Sequence, residues 1–322
     1  MRREEIINFL GEDWNRVSEF MASALSSDIE LLDITNRSLL SNTGKQLRPM
    51  LTLLMARLCG KVTDDTIRFA AASEMLHNAT LMHDDVADES STRRGRPTLV
   101  SAMGPAAAVL VGDFWLSRTV QAVLGAERHE RVVNLFSKTL SDLAEGEMLQ
   151  MQKASSCDTD EKDYLRIIYC KTASLFVSAC ESGAVSVDAS EECTAAAVKF
   201  ATALGTAFQI RDDIFDYSSR DEIGKPVGID LREQKITLPL LGAIAESEDP
   251  ESLRTLVREI PDHPENCGLL HDAVLASGGM EYAVKRLREF TDEAVEALSI
   301  FPDCEEKRFL VALAEYNATR CV

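Results

Sequence analysis

The chain is poor in residues that break helices, with 16 glycines and 9 prolines in 322 positions. It has no Pro/Gly/Ser-rich linker, low-complexity tract or internal period of solenoid length, so repeat arrays and tethered modules are excluded and one domain over 1–322 is expected. Strand-like alternation bounded by turns is scarce too. Cations are outnumbered, 34 Lys and Arg against 53 Asp and Glu, for a formal charge of −19. So acidic a surface repels nucleic acid and argues against general binding to anionic membranes. The 8 cysteines form no CxxC and no zinc-like spacing with the 5 histidines; buried thiols in a reducing compartment are expected. The opening MRREEIINFLGEDW lacks a long apolar stretch and no window approaches a membrane span, which predicts a cytoplasmic protein without a membrane anchor.

Apolar residues, 45% of the chain, instead recur at three- and four-residue intervals, the period of buried helix faces. Helices are expected over about 3–22, 25–40, 47–59, 63–86, 104–124, 128–153, 160–184, 188–218, 234–246, 249–259, 265–296 and 304–319. Prolines fall mostly at their edges; Pro239 is the exception and is expected to kink or shorten ITLPLLGAI. The most apolar segments are 63–86, 104–124 and 188–218, and Trp115 within the second is read as core packing.

Two of these segments carry acids where a core should not. In TLMHDDVADES, Asp84 and Asp88 share one helix face with Asp85 beside them; in AFQIRDDIFDYSS, Asp212, Asp213 and Asp216 repeat the spacing. Like charges so placed destabilise a helix unless cations offset them. All six are candidate metal ligands. Hard oxygen donors suit Mg²⁺, which binds few carboxylates, keeps waters and shares phosphate oxygens; the chain lacks the loop of an EF-hand. Basic residues cluster nearby: Lys45 and Arg48 in TGKQLRP, Arg93, Arg94 and Arg96 in STRRGRPT, and Lys225, Arg232 and Lys235 in GKPVGIDLREQK, with His77 on the first triad's helix. Separate basic clusters beside separate triads suggest two anion sites, one bound directly and one bridged by metal.

Taken with VGDFWLSR (111–118), AEGEMLQ (144–150) and KTASLF (171–176), these motifs closely resemble the trans-isoprenyl diphosphate synthases, or polyprenyl synthetases, over nearly the whole chain. The resemblance implies the all-α isoprenoid synthase fold, antiparallel helices around a central catalytic cavity, in a homodimer. It implies that Asp84, Asp85, Asp88, Asp212 and Asp216 hold Mg²⁺, about three ions per site, on an allylic diphosphate. Arg93, Lys171, Lys225 and Lys235 would contact that diphosphate. Lys45, Arg48, His77 and Arg94 would bind isopentenyl diphosphate, and Thr172 and Gln209 would face the developing carbocation. Two departures stand out: Thr43-Gly44 and Gln46 replace the usual glycine pair and second basic residue, and Arg211 precedes the second triad where many relatives are uncharged.

The implied reaction draws diphosphate off an allylic substrate, farnesyl or geranyl diphosphate, and joins the allylic carbon to isopentenyl diphosphate. Product length turns on Ala79 and Thr80, roughly 7.5 and 6 Å down the helix from Asp84. Aromatic residues there form a floor in short-chain relatives; here both are small, and of Leu76, Ser73 and Ala72 one turn deeper only Leu76 is bulky. A long-chain product is therefore expected, roughly C25–C40 with octaprenyl among the lengths, used for quinone side chains, with Phe136 a candidate deeper floor and transient membrane contact aiding release. The alternatives are a geranylgeranyl or other short- to medium-chain synthase, a terpene cyclase, and a non-catalytic subunit of a heteromeric synthase. Cyclases usually carry another second motif and lack Lys45, Arg48 and Arg94, while such subunits typically lose aspartates that are all present here.

Overall fold

The computed structural model describes residues 3–42, 44–93, 95–217 and 228–319. Among these the secondary structure is helical apart from one two-stranded hairpin, the all-α class that the apolar period predicts. The chain divides into two compact units: 1–137, 178–197 and 301–310, and 138–177, 198–300 and 311–322.

The first unit is built around the helix Asp64–Ala87. Every residue from Phe69 to Leu76 in it is buried, so it has no solvent face there and must be central. The helices Glu12–Ala24, Leu47–Cys59 and Pro105–Leu124 pack against it. At its start the Thr63 hydroxyl accepts the Thr66 N–H, and the Thr66 hydroxyl in turn meets Ser186 Oγ at 2.6 Å. Trp115 is fully buried and donates to Asn36 Oδ1 at 2.8 Å, while Asn36 donates to the Leu25 carbonyl at 2.7 Å.

The expectation that no window approaches a membrane span is corrected by Pro105–Leu124. Its alanines, valines and leucines give a mean hydropathy of 1.2 over a length able to cross a bilayer, and 39% of that window is buried. Val109, Leu110, Val120 and Leu124 are exposed on it. Beyond the first triad, Thr92–Arg93 pairs antiparallel with Arg96–Pro97 around Gly95, whose φ of 73° favours glycine. Two-residue strands have no readable period, and this hairpin was not expected.

In the second unit the helices Leu238–Glu246, Pro250–Arg258, Asn266–Ala276 and Gly279–Ala297 enclose a core that includes Ile210, Ile214, Leu240, Val257, Leu270 and Leu287. Pro239 shortens the expected 234–246 helix to Leu238–Glu246 and stands in its first turn without kinking it, because N–H groups of a first turn have no intrahelical acceptor to lose. The expected 265–296 helix breaks at Ser277 and Gly278, where φ is 82°, and 3–22 breaks at Gly11. Within 160–184 a π-helical turn, Tyr169–Ala173, follows Glu161–Ile168. A Cβ on Gly205 would lie 2.5 Å from Ala173 Cα, so only glycine lets the helix backbone approach that turn so closely.

Candidate active site

Both triads close helices. Asp84 and Asp85 lie in the last turn of Asp64–Ala87 and Asp88 is its C-cap, while Asp212, Asp213 and Asp216 fall in the final five residues of Glu191–Asp216. Unbonded carbonyls already make such an end negative, and a carboxylate there costs about 0.3–1 kcal/mol. Three at one end demand a cation far more strongly than three along a helix.

In the first unit Asp85 is buried and accepts Arg93 Nε at 2.8 Å. That anchors Arg93 through one nitrogen; its two terminal amino groups have no partner among the described residues, and the side chain is 37% exposed, open to an anion. His77 sits on the same helix, half-buried. Ala79, Leu76, Ser73 and Ala72 are fully buried, Phe136 is buried, and the half-buried Thr80 donates its hydroxyl to the His77 carbonyl at 2.9 Å. Lys45 is exposed and Arg48 half-buried in the first turn of Leu47–Cys59. Arg3 donates to the Lys45 carbonyl and to Gln46 Oε1, each at 3.0 Å, so a cation does stand at Gln46. His83 pairs with Asp113 at 3.2 Å across Gly112, where any Cβ would strike the His83 ring. Arg94 and Lys225 lie outside the described residues.

In the second unit a hydrogen-bonded chain leads to the middle aspartate. Thr172 donates to Gln209 Oε1 at 2.8 Å, Gln209 donates to Asp213 Oδ1 at 2.8 Å, and the Tyr164 hydroxyl donates to Asp213 Oδ2 at 2.6 Å. Burial, reinforced by the nearby Asp230 carboxylate, holds the Asp213 pKa well above the usual carboxylate range. Asp216 accepts the N–H groups of Ile229 and Asp230, one on each oxygen at 3.1 Å, and so caps the short helix Ile229–Arg232. Arg211 pairs with Asp212 at 2.6 Å. Lys171 pairs with Glu147 at 2.7 Å and Lys235 with Glu233.

A cavity of about 160 Å³ in this unit is lined by Lys153, Lys171, Lys235, Gln209, Asp213 and Asp230, among others. Each of its three lysines is paired with a carboxylate, Lys153 with Asp158 and Asp163, Lys171 with Glu147 and Lys235 with Glu233, partners that an entering anion would replace. Sequence reasoning missed Lys153, Asp230 and Tyr164 among its groups. Asp230, whose pKa is pushed up to about 6 by burial and then by Asp216, lies inside the quoted GKPVGIDLREQK. Tyr164 stands seven residues before Lys171, a helical spacing that could have flagged it.

The polyprenyl synthetase family model matches residues 30–273. The chain belongs to that family. It is 36% identical to the octaprenyl diphosphate synthase of Escherichia coli K12 over 99% of each chain. Among solved structures, the decaprenyl diphosphate synthase of Rhodobacter capsulatus superposes with a TM-score of 0.92 at 35% identity, covering 100% of both chains. A polyprenyl synthase from Caulobacter crescentus, complexed with calcium and isoprenyl diphosphate, follows at 0.89 and 32%, covering 100% of this chain and 98% of its own. Such relatives are prenyltransferases, and the fold is the isoprenoid synthase fold.

Each triad by itself offers carboxylate oxygens at the negative end of a helix, donors of the kind a hard divalent ion takes. Among the described residues no three His, Cys, Asp or Glu already converge as a protein-only cage.

Proposed function

We propose that the chain is a magnesium-dependent trans-polyprenyl diphosphate synthase acting in the cytoplasm as a homodimer. It adds isopentenyl diphosphate repeatedly to farnesyl or geranyl diphosphate and releases a long-chain product, octaprenyl among the candidate lengths. The observation that carries this reading is the pair of aspartate triads at helix C-termini, in a chain that matches an octaprenyl diphosphate synthase from end to end. The small residues Ala79 and Thr80 support length, and the whole of 1–322 would work as one catalytic domain.

Asp84, Asp88, Asp212 and Asp216 would hold about three Mg²⁺ ions with the allylic diphosphate. Bound magnesium supplies positive charge against the charge that develops on the leaving diphosphate. Asp85 and Asp213 serve from behind, the first fixing Arg93 and the second fixing Gln209. Arg93, Lys171, Lys225 and Lys235 bind the allylic diphosphate, while Lys45, Arg48, His77 and Arg94 hold the isopentenyl one. The allylic C–O bond breaks with its electron pair leaving on diphosphate. The double bond of isopentenyl diphosphate then forms the new C–C bond, and the resulting cation loses a proton to the departed diphosphate. Thr172 and Gln209 orient their dipoles toward the cation, and apolar walls exclude the water that would quench it.

Dimerisation would cover the apolar side chains that the first unit exposes, Ile29, Leu31 and Ile34 near one helix and Leu110 and Leu124 on another. One assay tests the catalytic reading. Purified protein, Mg²⁺, farnesyl diphosphate and labelled isopentenyl diphosphate should yield products several units longer than farnesyl, resolved by chain length; no elongation would overturn it.

A further inference from the structure

Arg211 is 5% exposed, and its guanidinium stays charged at any ordinary pH. A buried permanent cation needs a counter-charge. Its Nε and one terminal amino group both donate to Asp212 Oδ1, at 3.1 and 2.6 Å, and the other amino group donates to Asn317 Oδ1 on the helix Glu305–Thr319. The rings of Phe208 and Phe215 lie 4.2 and 5.6 Å from the guanidinium carbon, Phe208 one turn before it and Phe215 one turn after. A carboxylate, an amide and two rings thus hold the fork.

The consequence lies in which oxygens of the second triad remain. Asp213 accepts on both oxygens, from Gln209 and Tyr164, and Asp216 accepts on both, from two backbone N–H groups. Asp212 accepts on Oδ1 alone. Its Oδ2 is the one carboxylate oxygen of this triad that receives no hydrogen bond from the described residues, on a side chain 41% exposed.

We propose that Arg211 is a positioning residue: it locks Asp212 by Oδ1 and thereby selects Oδ2 as the oxygen presented to a divalent ion, with Asn317 fixing the guanidinium from the last helix. This rests on the magnesium-dependent reading of the site. A guanidinium that only neutralised charge would make the opposite prediction, because removing it would strengthen the pull on a cation.

The sign of one shift therefore decides. Mn²⁺ binding to the full-length protein, followed by electron paramagnetic resonance with inorganic diphosphate present, should weaken about tenfold or more in Arg211→Met, the usual scale for losing a group that orients a ligand. Arg211→Lys keeps the charge and loses the fork, so it should weaken binding nearly as much. Asn317→Ala should weaken it less. Thermal melts identify variants that fold, and if Arg211→Met does not, the other two carry the test. Tighter binding in Arg211→Met, or wild-type binding in folded Arg211→Lys, overturns the positioning role. Wild-type protein that binds no Mn²⁺ with diphosphate would instead sink the magnesium reading beneath it.

Discussion

Gly205→Ala makes one methyl group report on the whole second-unit site. The added Cβ would lie 2.5 Å from Cα, 2.9 Å from Cβ and 3.4 Å from N of Ala173, and the nearest of these is backbone that cannot rotate away. To reach ordinary contact the π-helical turn and the triad helix must part by about 1 Å. Alanine in a helix interior gains about 1 kcal/mol over glycine, and overpacking of this kind costs about 1–3, so the net loss of stability is about 0–2 kcal/mol. The catalytic loss should be larger. Ala173 directly follows Lys171 and Thr172, and Gln209 lies one turn beyond Gly205, so the same separation opens the 2.8 Å bond from Thr172 to Gln209. A displacement near 1 Å in positioned groups costs on the order of 10²-fold in rate. Urea unfolding and steady-state elongation from farnesyl diphosphate measure the two effects separately. Gly268→Ala is the control, since nothing lies within 4 Å of its Cβ, and it should be neutral or stabilising by up to about 1 kcal/mol with unchanged turnover. Equal behaviour of the two variants, or normal turnover in Gly205→Ala, would refute the reasoning.

Ala79→Phe should shorten the products sharply while the protein still elongates, read by thin-layer or mass analysis; unchanged lengths in folded protein would remove Ala79 from the channel wall. Chelation with EDTA should abolish elongation and added Mg²⁺ should restore it, and turnover that survives chelation would contradict the metal role of the triads. Asn36→Ala strands the buried Trp115 N–H and Leu25 carbonyl, each costing about 1–3 kcal/mol, with product length unaffected. A urea-measured loss below about 0.5 kcal/mol, the scale of an ordinary surface change, would show that neither bond matters.

The long helices were legible because burial imposes a 3.6-residue period, and Leu47–Cys59, Asp64–Ala87 and Pro105–Leu124 fall within a residue or so of their expected bounds. What escaped were features too short to change that period. Gly11 and Gly278 each interrupt a helix by a positive φ that leaves the apolar pattern on either side intact. The π turn Tyr169–Ala173 leaves Lys171 and Thr172 inside an apparently regular run, and the Thr92–Pro97 hairpin has too few residues to alternate.

The triads show where a pattern stops and a fold begins. DDxxD implies that the first and last acids share a face and that the middle one points about 100° away. Both copies obey this, and in both the middle acid turns inward: Asp85 and Asp213 are 5% and 4% exposed, whereas Asp88 is exposed and Asp84, Asp212 and Asp216 are half-buried. That division was readable in principle. The donors that meet the inward acids were only partly so, since Arg93 is close in sequence to Asp85 but Tyr164 comes from 49 residues before Asp213, and Asn317 from 106 residues beyond Arg211. A buried carboxylate is tolerated only when donors saturate it. Once Tyr164 and Gln209 have done so, the buried Asp213 has little left to offer an ion, and the burden of binding shifts to its more exposed neighbours Asp212 and Asp216. The spacing thus names which residues form the site, and the long-range donors decide which oxygen of each remains available for chemistry.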